Sequence, residues 1–434
     1  MSESNKERGK KIDPHAIIRQ TTRYIAQNYD SLPVVLSRGE GPFLYDVEGR
    51  QYFDFLSAYS AVNQGHVHPE IRDALMDQVS RLSLVSRAFH HDLLGESAAF
   101  ISNLFEYEKV LMMNTGAEAV ETALKLARKW GYEYKKIPEN QVRIIVCQGN
   151  FHGRTSTIVS FSTDKLARTR FGPPMPGFEI IPYDDIPSLE KSLKHPHVAA
   201  FLVEPIQGEA GVCIPSDDYL SKVATLCKKH QVLWIADEIQ TGLGRVGSWL
   251  GVCGHCTCQY SCQRLTESYL RPDLLVLGKA LSGGMYPISA VLADAHLMDV
   301  LSPGTHGSTF GGNPIACRVA RTALEVIKKE NLIKKARERG SYFRERMQKM
   351  VHKHEFLKEV RGRGLLNALV LQNEQVEENL AYKLCLSLKE QGILAKDTRK
   401  NIIRFAPPLV ISQEQMIEAC DRIAKALRSF QKLI

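Results

Sequence analysis

Leu274-Leu-Val-Leu-Gly-Lys-Ala-Leu-Ser-Gly-Gly284 joins a continuous apolar run to a lysine set between glycines. Four aliphatic residues in a row, Leu274 to Leu277, read as a strand buried on both faces, the kind that parallel sheets contain. Lys279 then falls just past the carboxyl end of that strand, where open α/β sheets build their sites. Burial lowers the pKa of an amine, and a neutral amine is what attacks a carbonyl carbon. On its own Lys279 is an ordinary loop residue. Its meaning depends on what the neighbouring strand ends supply.

Other short apolar runs follow the same pattern: Val110-Leu-Met-Met113, Ile144-Ile-Val-Cys147, Ala199-Ala-Phe-Leu-Val203 and Val232-Leu-Trp-Ile-Ala236. Helical spacing separates them, over 68–82, 92–104 and 117–130. This alternation predicts an α/β fold with a mostly parallel, doubly covered sheet over roughly residues 60–320. Upstream, Gly41 to Phe55 alternates around Glu48-Gly49 as a hairpin does. Downstream of Asn313-Pro314 a helix from Ile315 to about residue 331 leads into a segment with strand-like runs at 364–371 and 402–405. The expected division is an N-terminal segment, 1–58, joining a small α+β domain at 329–434, with a large domain at 59–328.

The net charge is +8, from 56 Lys and Arg against 48 Asp and Glu spread along the chain. No basic block is present, which argues against a nucleic-acid partner and leaves room for an anionic substrate. No apolar run reaches membrane-spanning length, and no secretory h-region is seen. Residues 1–11 carry Glu3 and Glu7 and lack an Arg-rich amphipathic pattern, so the cytoplasm is the expected compartment. A transit segment missing from this chain would place it in the mitochondrion instead. Most of the ten cysteines are isolated in apolar segments, as in a reducing compartment.

Asp237 ends the run Val232-Leu-Trp-Ile-Ala-Asp, and a carboxylate there is costly unless a cation faces it. Paired with a lysine at a second strand end, it points to a protonated pyridine nitrogen. Pyridoxal phosphate needs both: a lysine for its aldehyde and an acid that keeps its ring an electron sink. A phosphate site is also present. Thr115 and Glu118 fit a capping box opening a helix after Val110–Met113, and the amides at Gly116 and Ala117 suit an anion. In Gly149-Asn-Phe-His-Gly-Arg154, Phe151 can stack on a flat ring and Arg154 can fork onto a carboxylate. Gly307-Ser-Thr-Phe-Gly-Gly-Asn-Pro314 offers Ser308 and Thr309 to phosphate oxygens. One competing motif, Gly242-Leu-Gly-Arg-Val-Gly247, matches G-x-G-x-x-G, but Asp237-Glu-Ile-Gln-Thr already fills the strand-to-helix turn that a dinucleotide fingerprint requires.

Taken in order, Asn114-Thr-Gly-Ala-Glu-Ala, Asn150-Phe-His-Gly-Arg, Val203-Glu-Pro-Ile-Gln-Gly-Glu, Ala236-Asp-Glu-Ile-Gln-Thr-Gly, Gly278-Lys-Ala-Leu-Ser-Gly-Gly and Gly307-Ser-Thr-Phe resemble the class-III pyridoxal-phosphate aminotransferases. Within them the chain is similar to the ornithine aminotransferases from about residue 20 onward. The resemblance implies fold-type I architecture and a homodimer with shared active sites. It makes Lys279 the lysine that carries the cofactor and Asp237 the partner of the ring nitrogen. Gln240 would meet the phenolic oxygen, Phe151 would stack on the ring, and Gly116 and Ala117 would bind the phosphate with Ser308 and Thr309, the latter from the other subunit. Tyr29 and Tyr59 would line the ornithine pocket. Arg154 would hold the α-carboxylate of ornithine, and Arg404, screened by Glu209, that of glutamate or 2-oxoglutarate. The activity implied is transfer of the δ-amino group of ornithine to 2-oxoglutarate; action on acetylornithine or 4-aminobutyrate is the alternative. No resident metal is expected.

The chain departs from that pattern twice. A long insertion before Arg271 carries Cys253, His255, Cys256, Cys258 and Cys262, with zinc, a redox-responsive loop and a plain insertion all open. His152 stands where ornithine aminotransferases often have a larger aromatic residue, and is expected at the site entrance without a part in the chemistry.

Overall fold

The computed structural model describes residues 13–253, 270–372 and 379–432. Its central feature is a seven-stranded sheet in the order Lys109–Met113, Ser289–Ala293, Leu274–Leu277, Leu233–Asp237, Val198–Val203, Arg143–Cys147, Phe178–Ile181. The last five run parallel, and only Ser289–Ala293 is reversed, antiparallel to both neighbours. Four central strands are buried along their whole length, and three of them, Leu274–Leu277, Leu233–Asp237 and Val198–Val203, are accordingly written in almost entirely apolar residues.

Two of the seven strands lack that signature. Phe178–Ile181 is a partly exposed edge strand of four residues after a Pro- and Gly-rich stretch. Ser289–Ala293 begins with a serine whose hydroxyl donates to the Thr115 carbonyl at 2.7 Å, and it includes two alanines. Small residues suit it, because helix Gly116–Glu133 packs across it.

Two smaller sheets flank this frame. Leu36–Glu40, Phe43–Asp46 and Gln51–Asp54 form an antiparallel set, and the last pairs in parallel with Ile393–Leu394, so both ends of the chain share one sheet. Leu357–Arg363, Leu366–Leu371, Ile402–Phe405 and Lys396–Arg399 form the other, also antiparallel.

Gly242–Gly247 has a structural use. Gly244 and Gly247 take positive φ, and the turn they make seats Arg245 with no solvent exposure. Its guanidinium donates to Asn63 Oδ1 (3.1 and 2.6 Å), to the Leu365 carbonyl (2.9 Å) and to the Pro407 carbonyl (2.6 Å). One buried cation thereby ties three distant stretches together, through acceptors that are neutral. Burial pushes its pKa down to about 9, with Asp54 opposing. Arg245→Met should lower unfolding stability by about 3 kcal/mol, since three buried acceptors lose their donor. Chemical denaturation of the variant checks this, and an unchanged midpoint would show the bonds to be dispensable.

Candidate active site

The carboxyl ends of the parallel strands open onto one cavity, and Lys279, Asp237, Gln240, Glu209, Phe151, Gly116 and Ala117 all line it. Lys279 follows an extended Gly278 and has φ of +46°, a left-handed value unusual for a side-chain-bearing residue. Burial lowers the pKa of its amine, while the carboxylates of Glu209, Asp237 and Glu204 pull the other way and Arg404 adds to the lowering. A lysine so placed is held toward its neutral, nucleophilic form.

Asp237 is 5% exposed and accepts the Ile239 amide on Oδ1 at 3.1 Å. Its other oxygen meets His152 Nδ1 at 2.7 Å. His152 therefore does not stand at the site entrance. Between Phe151 and the exposed Arg154 the His152 side chain turns inward, to zero exposure, against the acid the cofactor nitrogen would need. Burial works against its protonation, but the bond and the charge of Asp237 outweigh that and raise its pKa.

At the other end of the cavity Arg404, 2% exposed, donates to Glu209 Oε1 at 2.5 Å. The same Glu209 oxygen accepts from Gln240 Nε2 at 3.0 Å. Burial alone would raise the Glu209 pKa; Arg404 reverses this and the net direction is down. Tyr59 covers the pair, its ring centroid 4.9 Å from the guanidinium carbon. Tyr59 reaches this place through four successive left-handed residues, Ser57 to Ser60. The Asp54 carboxylate accepts the Leu56 and Ser57 amides, and Ser57 Oγ donates to the Ala406 carbonyl at 2.7 Å, which ties the turn to the Arg404 strand. Gly208, beside this network, has no room for a side chain: a Cβ would lie 1.6 Å from Gln240 Oε1.

The helix start at Gly116 is fixed as the spacing predicts. Glu118 N donates to Thr115 Oγ1 and Thr115 N to Glu118 Oε2, completing the capping box. Four expected residues lie away from this cluster. Arg154 is exposed with its guanidinium 5.6 Å from the Phe151 ring centroid, and Tyr29 is 72% exposed. Thr309 is exposed, and Ser308 Oγ accepts from Asn114 Nδ2 at 2.8 Å rather than facing the cavity. The cysteine-rich insertion falls on residues 254–269, outside the described residues, except for Cys253.

Two buried carboxyls carry functions the sequence reading did not assign. Glu204, at the end of Val198–Val203, accepts the Phe151 amide at 2.9 Å, and burial raises its pKa to about 7. Glu238 accepts the Gly251 and Val252 amides, both at 2.8 Å, closing the turn after the Asp237 strand. Each had the signal that singled out Asp237, an acid at the end of an apolar run.

This arrangement fits pyridoxal phosphate: a neutral-leaning amine, a buried carboxylate, a capped helix start with free amides and an aromatic ring line one cavity. The aminotransferase class-III family profile matches residues 24–427. The mitochondrial ornithine aminotransferase of Drosophila melanogaster is 53% identical over 413 residues, 95% of this chain and 91% of that protein. The ornithine aminotransferase of Toxoplasma gondii, whose crystal structure has partial occupancy of pyridoxal phosphate, superimposes with a TM-score of 0.92 at 46% identity, covering 97% of this chain and 95% of that one. An acetylornithine aminotransferase from Elizabethkingia anophelis gives a TM-score of 0.85 at 49% identity, covering 96% and 100%. The strand order, the cavity and these likenesses agree: the chain is a fold-type I, pyridoxal-phosphate-dependent transaminase and belongs to the class-III aminotransferases.

Proposed function

We propose that this chain transfers the δ-amino group of L-ornithine to 2-oxoglutarate, giving glutamate 5-semialdehyde and glutamate. The observation that carries this reading is the Arg404–Glu209 ion pair under the Tyr59 ring, beside Lys279. A site that accepts a δ-amine from one substrate and delivers it to an α-keto acid must change which carboxylate clamp is open. With Glu209 on Arg404 that clamp is closed, and Arg154, which stands exposed beside Phe151 and off the cavity, would turn inward to hold the α-carboxylate of ornithine, so that the distal amine faces Lys279. A dicarboxylate arriving in the second half-reaction competes with Glu209 for the guanidinium, and its α-carbon comes to the same place.

The bound cofactor supplies a carbonyl carbon for the amine and an electron-accepting ring. Asp237 would hold the ring-nitrogen proton, Gln240 the phenolic oxygen, and Gly116, Ala117, Ser308 and Thr309 the phosphate. Lys279 Nζ would be the group that takes the proton from the δ-carbon of ornithine and gives it back, as base and then acid. A second copy of the chain belongs to this proposal. Ser308 and Thr309 lie off their own cavity, and Val67, Met76, Phe89 and Phe310 are exposed apolar residues suited to a subunit face. The division at 59–328 is proposed with it: all seven strands of the main sheet fall between Lys109 and Ala293. Among the described residues no helix is long and apolar enough to cross a membrane.

Ornithine alone, added to the protein loaded with pyridoxal phosphate, should bleach its visible absorbance, and 2-oxoglutarate should restore it. Lys279→Ala should show neither change and lose at least about a thousandfold in turnover, as removal of a covalent catalytic group does. The bacterial acetylornithine enzyme gives the specific alternative; a kcat/KM higher for N-acetylornithine than for ornithine would establish it. Glu209→Gln removes the charge that closes Arg404. It should lower the preference for ornithine over glutamate about tenfold, the scale of one charge-assisted contact. Paired half-reaction rates measure this, and an unaltered ratio would show that the ion pair does not act as the selector.

A further inference from the structure

A second cavity of about 710 Å³ adjoins that of Lys279 and shares Phe151, His152, Gly153 and Glu209 with it. Lys165, Arg399 and Lys400, all exposed, form its outer wall. Asp164 stands beside them, its Oδ1 accepting the Leu166 amide at 3.0 Å. Three cations against this acid leave the mouth positive.

The fold places two of these cations deliberately close to the inner clamp. Arg399 ends the strand Lys396–Arg399, which pairs antiparallel with Ile402–Phe405, the strand of Arg404. Lys400 lies in the turn between the two. One hairpin therefore carries Arg404 into the inner cavity and Arg399 and Lys400 to the outer one. Arg399 Nε donates to the Ala210 carbonyl at 3.3 Å, next to Glu209. Acids near the hairpin are matched elsewhere: Asp397 pairs with Lys396 at 2.7 Å and Glu359 with Arg361 at 2.8 Å. Among the described residues no ion pair uses Arg399, Lys400 or Lys165. Farther in, Glu209 and Arg404 offset one another.

The two substrates differ in charge. 2-Oxoglutarate is a dianion, whereas ornithine, with two ammonium groups and one carboxylate, is a monocation. A cleft of one sign with low-dielectric walls focuses its field and concentrates ions of the other sign. Both substrates enter the same cavity in turn, so a bias at the mouth sets how well the keto acid competes. We propose that Arg399 and Lys400, with Lys165, are specificity-determining residues: their charge draws the dianionic keto acid into the site ahead of the Arg404 clamp and disfavours the cationic amine donor. This inference rests on the ornithine and 2-oxoglutarate reading given above. It assigns these cations no contact with the reacting carbon.

The test follows both half-reactions in the full-length protein loaded with pyridoxal phosphate. Ionic strengths of about 0.01 M and about 1 M are compared, between which the screening length falls from about 30 Å to about 3 Å. Two variants each lower the charge of the mouth by the same amount: Arg399→Gln combined with Lys400→Gln, and Lys400→Glu alone. The second leaves the Arg399 bond to Ala210 in place. The energy of an ion in a field scales with its charge, so the dianion responds twice as strongly as the monocation and in the opposite direction. At low ionic strength kcat/KM for 2-oxoglutarate should fall about tenfold in both variants, and that for ornithine should rise about threefold, at the low end of such field effects. Maximal half-reaction rates should stay the same, and at high ionic strength both shifts should shrink to within about twofold. An unchanged kcat/KM for 2-oxoglutarate at low ionic strength would overturn the proposal. So would a loss shared by both substrates, which would mark a structural role. A loss confined to the double variant would assign the effect to the Arg399–Ala210 bond, and one that survives high salt would mark a direct contact; either overturns selection by charge. A parent protein inert toward ornithine and 2-oxoglutarate would overturn the substrate reading itself, and this inference with it.

Discussion

A charged group at the end of a fully buried strand cannot remain alone, and the cavity is built from the ways this chain meets that constraint. Asp237, Glu204 and Lys279 each follow a strand with little or no exposure. Water does not reach them freely, so each must be answered by a donor, a counter-charge or a shift in protonation. Asp237 is answered by His152 and an amide, Lys279 by loss of basicity, and Glu204 by two amides and a pKa near neutrality. A bound pyridinium and phosphate complete the balance that the protein groups leave open. The same low-dielectric setting that makes these groups expensive makes them effective, because their fields are little screened.

The substrate end of the cavity is held by a different device, backbone strain. Four consecutive left-handed residues at 57–60 would not persist in an isolated peptide, since each costs on the order of 1 kcal/mol. They persist because Asp54 caps the turn from one side and the strand of Arg404 accepts Ser57 from the other. The strain is therefore anchored to the element that carries the guanidinium. Tyr59 and Arg404 are thereby held to one framework, and Glu209 reaches Arg404 from a different loop.

Much of this was legible in the sequence, for a definite reason. Strands buried on both faces have to be apolar throughout, so Leu274–Leu277, Leu233–Asp237 and Val198–Val203 announce themselves, and the polar residue that follows each one stands out. Capping chemistry is local, so Thr115 and Glu118 disclosed a helix start to the residue. The edge strand Phe178–Ile181 and the small-residue strand Ser289–Ala293 carry no such run, and pairing partners far away in the chain decide them. His152 was misplaced for a related reason. Along an exposed-looking loop that runs from glycine to arginine, nothing local says that one side chain points inward. Only the strand from 233 to 237, 85 positions further on, gives that ring a partner.

The four acids near the cavity show why residue type alone could not assign roles. Asp237, Glu204, Glu209 and Glu238 all follow or lie close to apolar strands, and composition treats them alike. Their partners do not. Glu238 receives two backbone amides and a hydroxyl, so it is tied into a turn and has no oxygen to spare for chemistry. Glu209 receives a buried guanidinium and an amide side chain, both side-chain donors rather than backbone ones. Glu204 receives the amides of Phe151 and Gly208, so it links the stacking ring to the loop that bears Glu209. Asp237 alone pairs with a buried imidazole whose other nitrogen has no hydrogen-bond partner, and its carboxylate is thereby held in one orientation at the cavity wall.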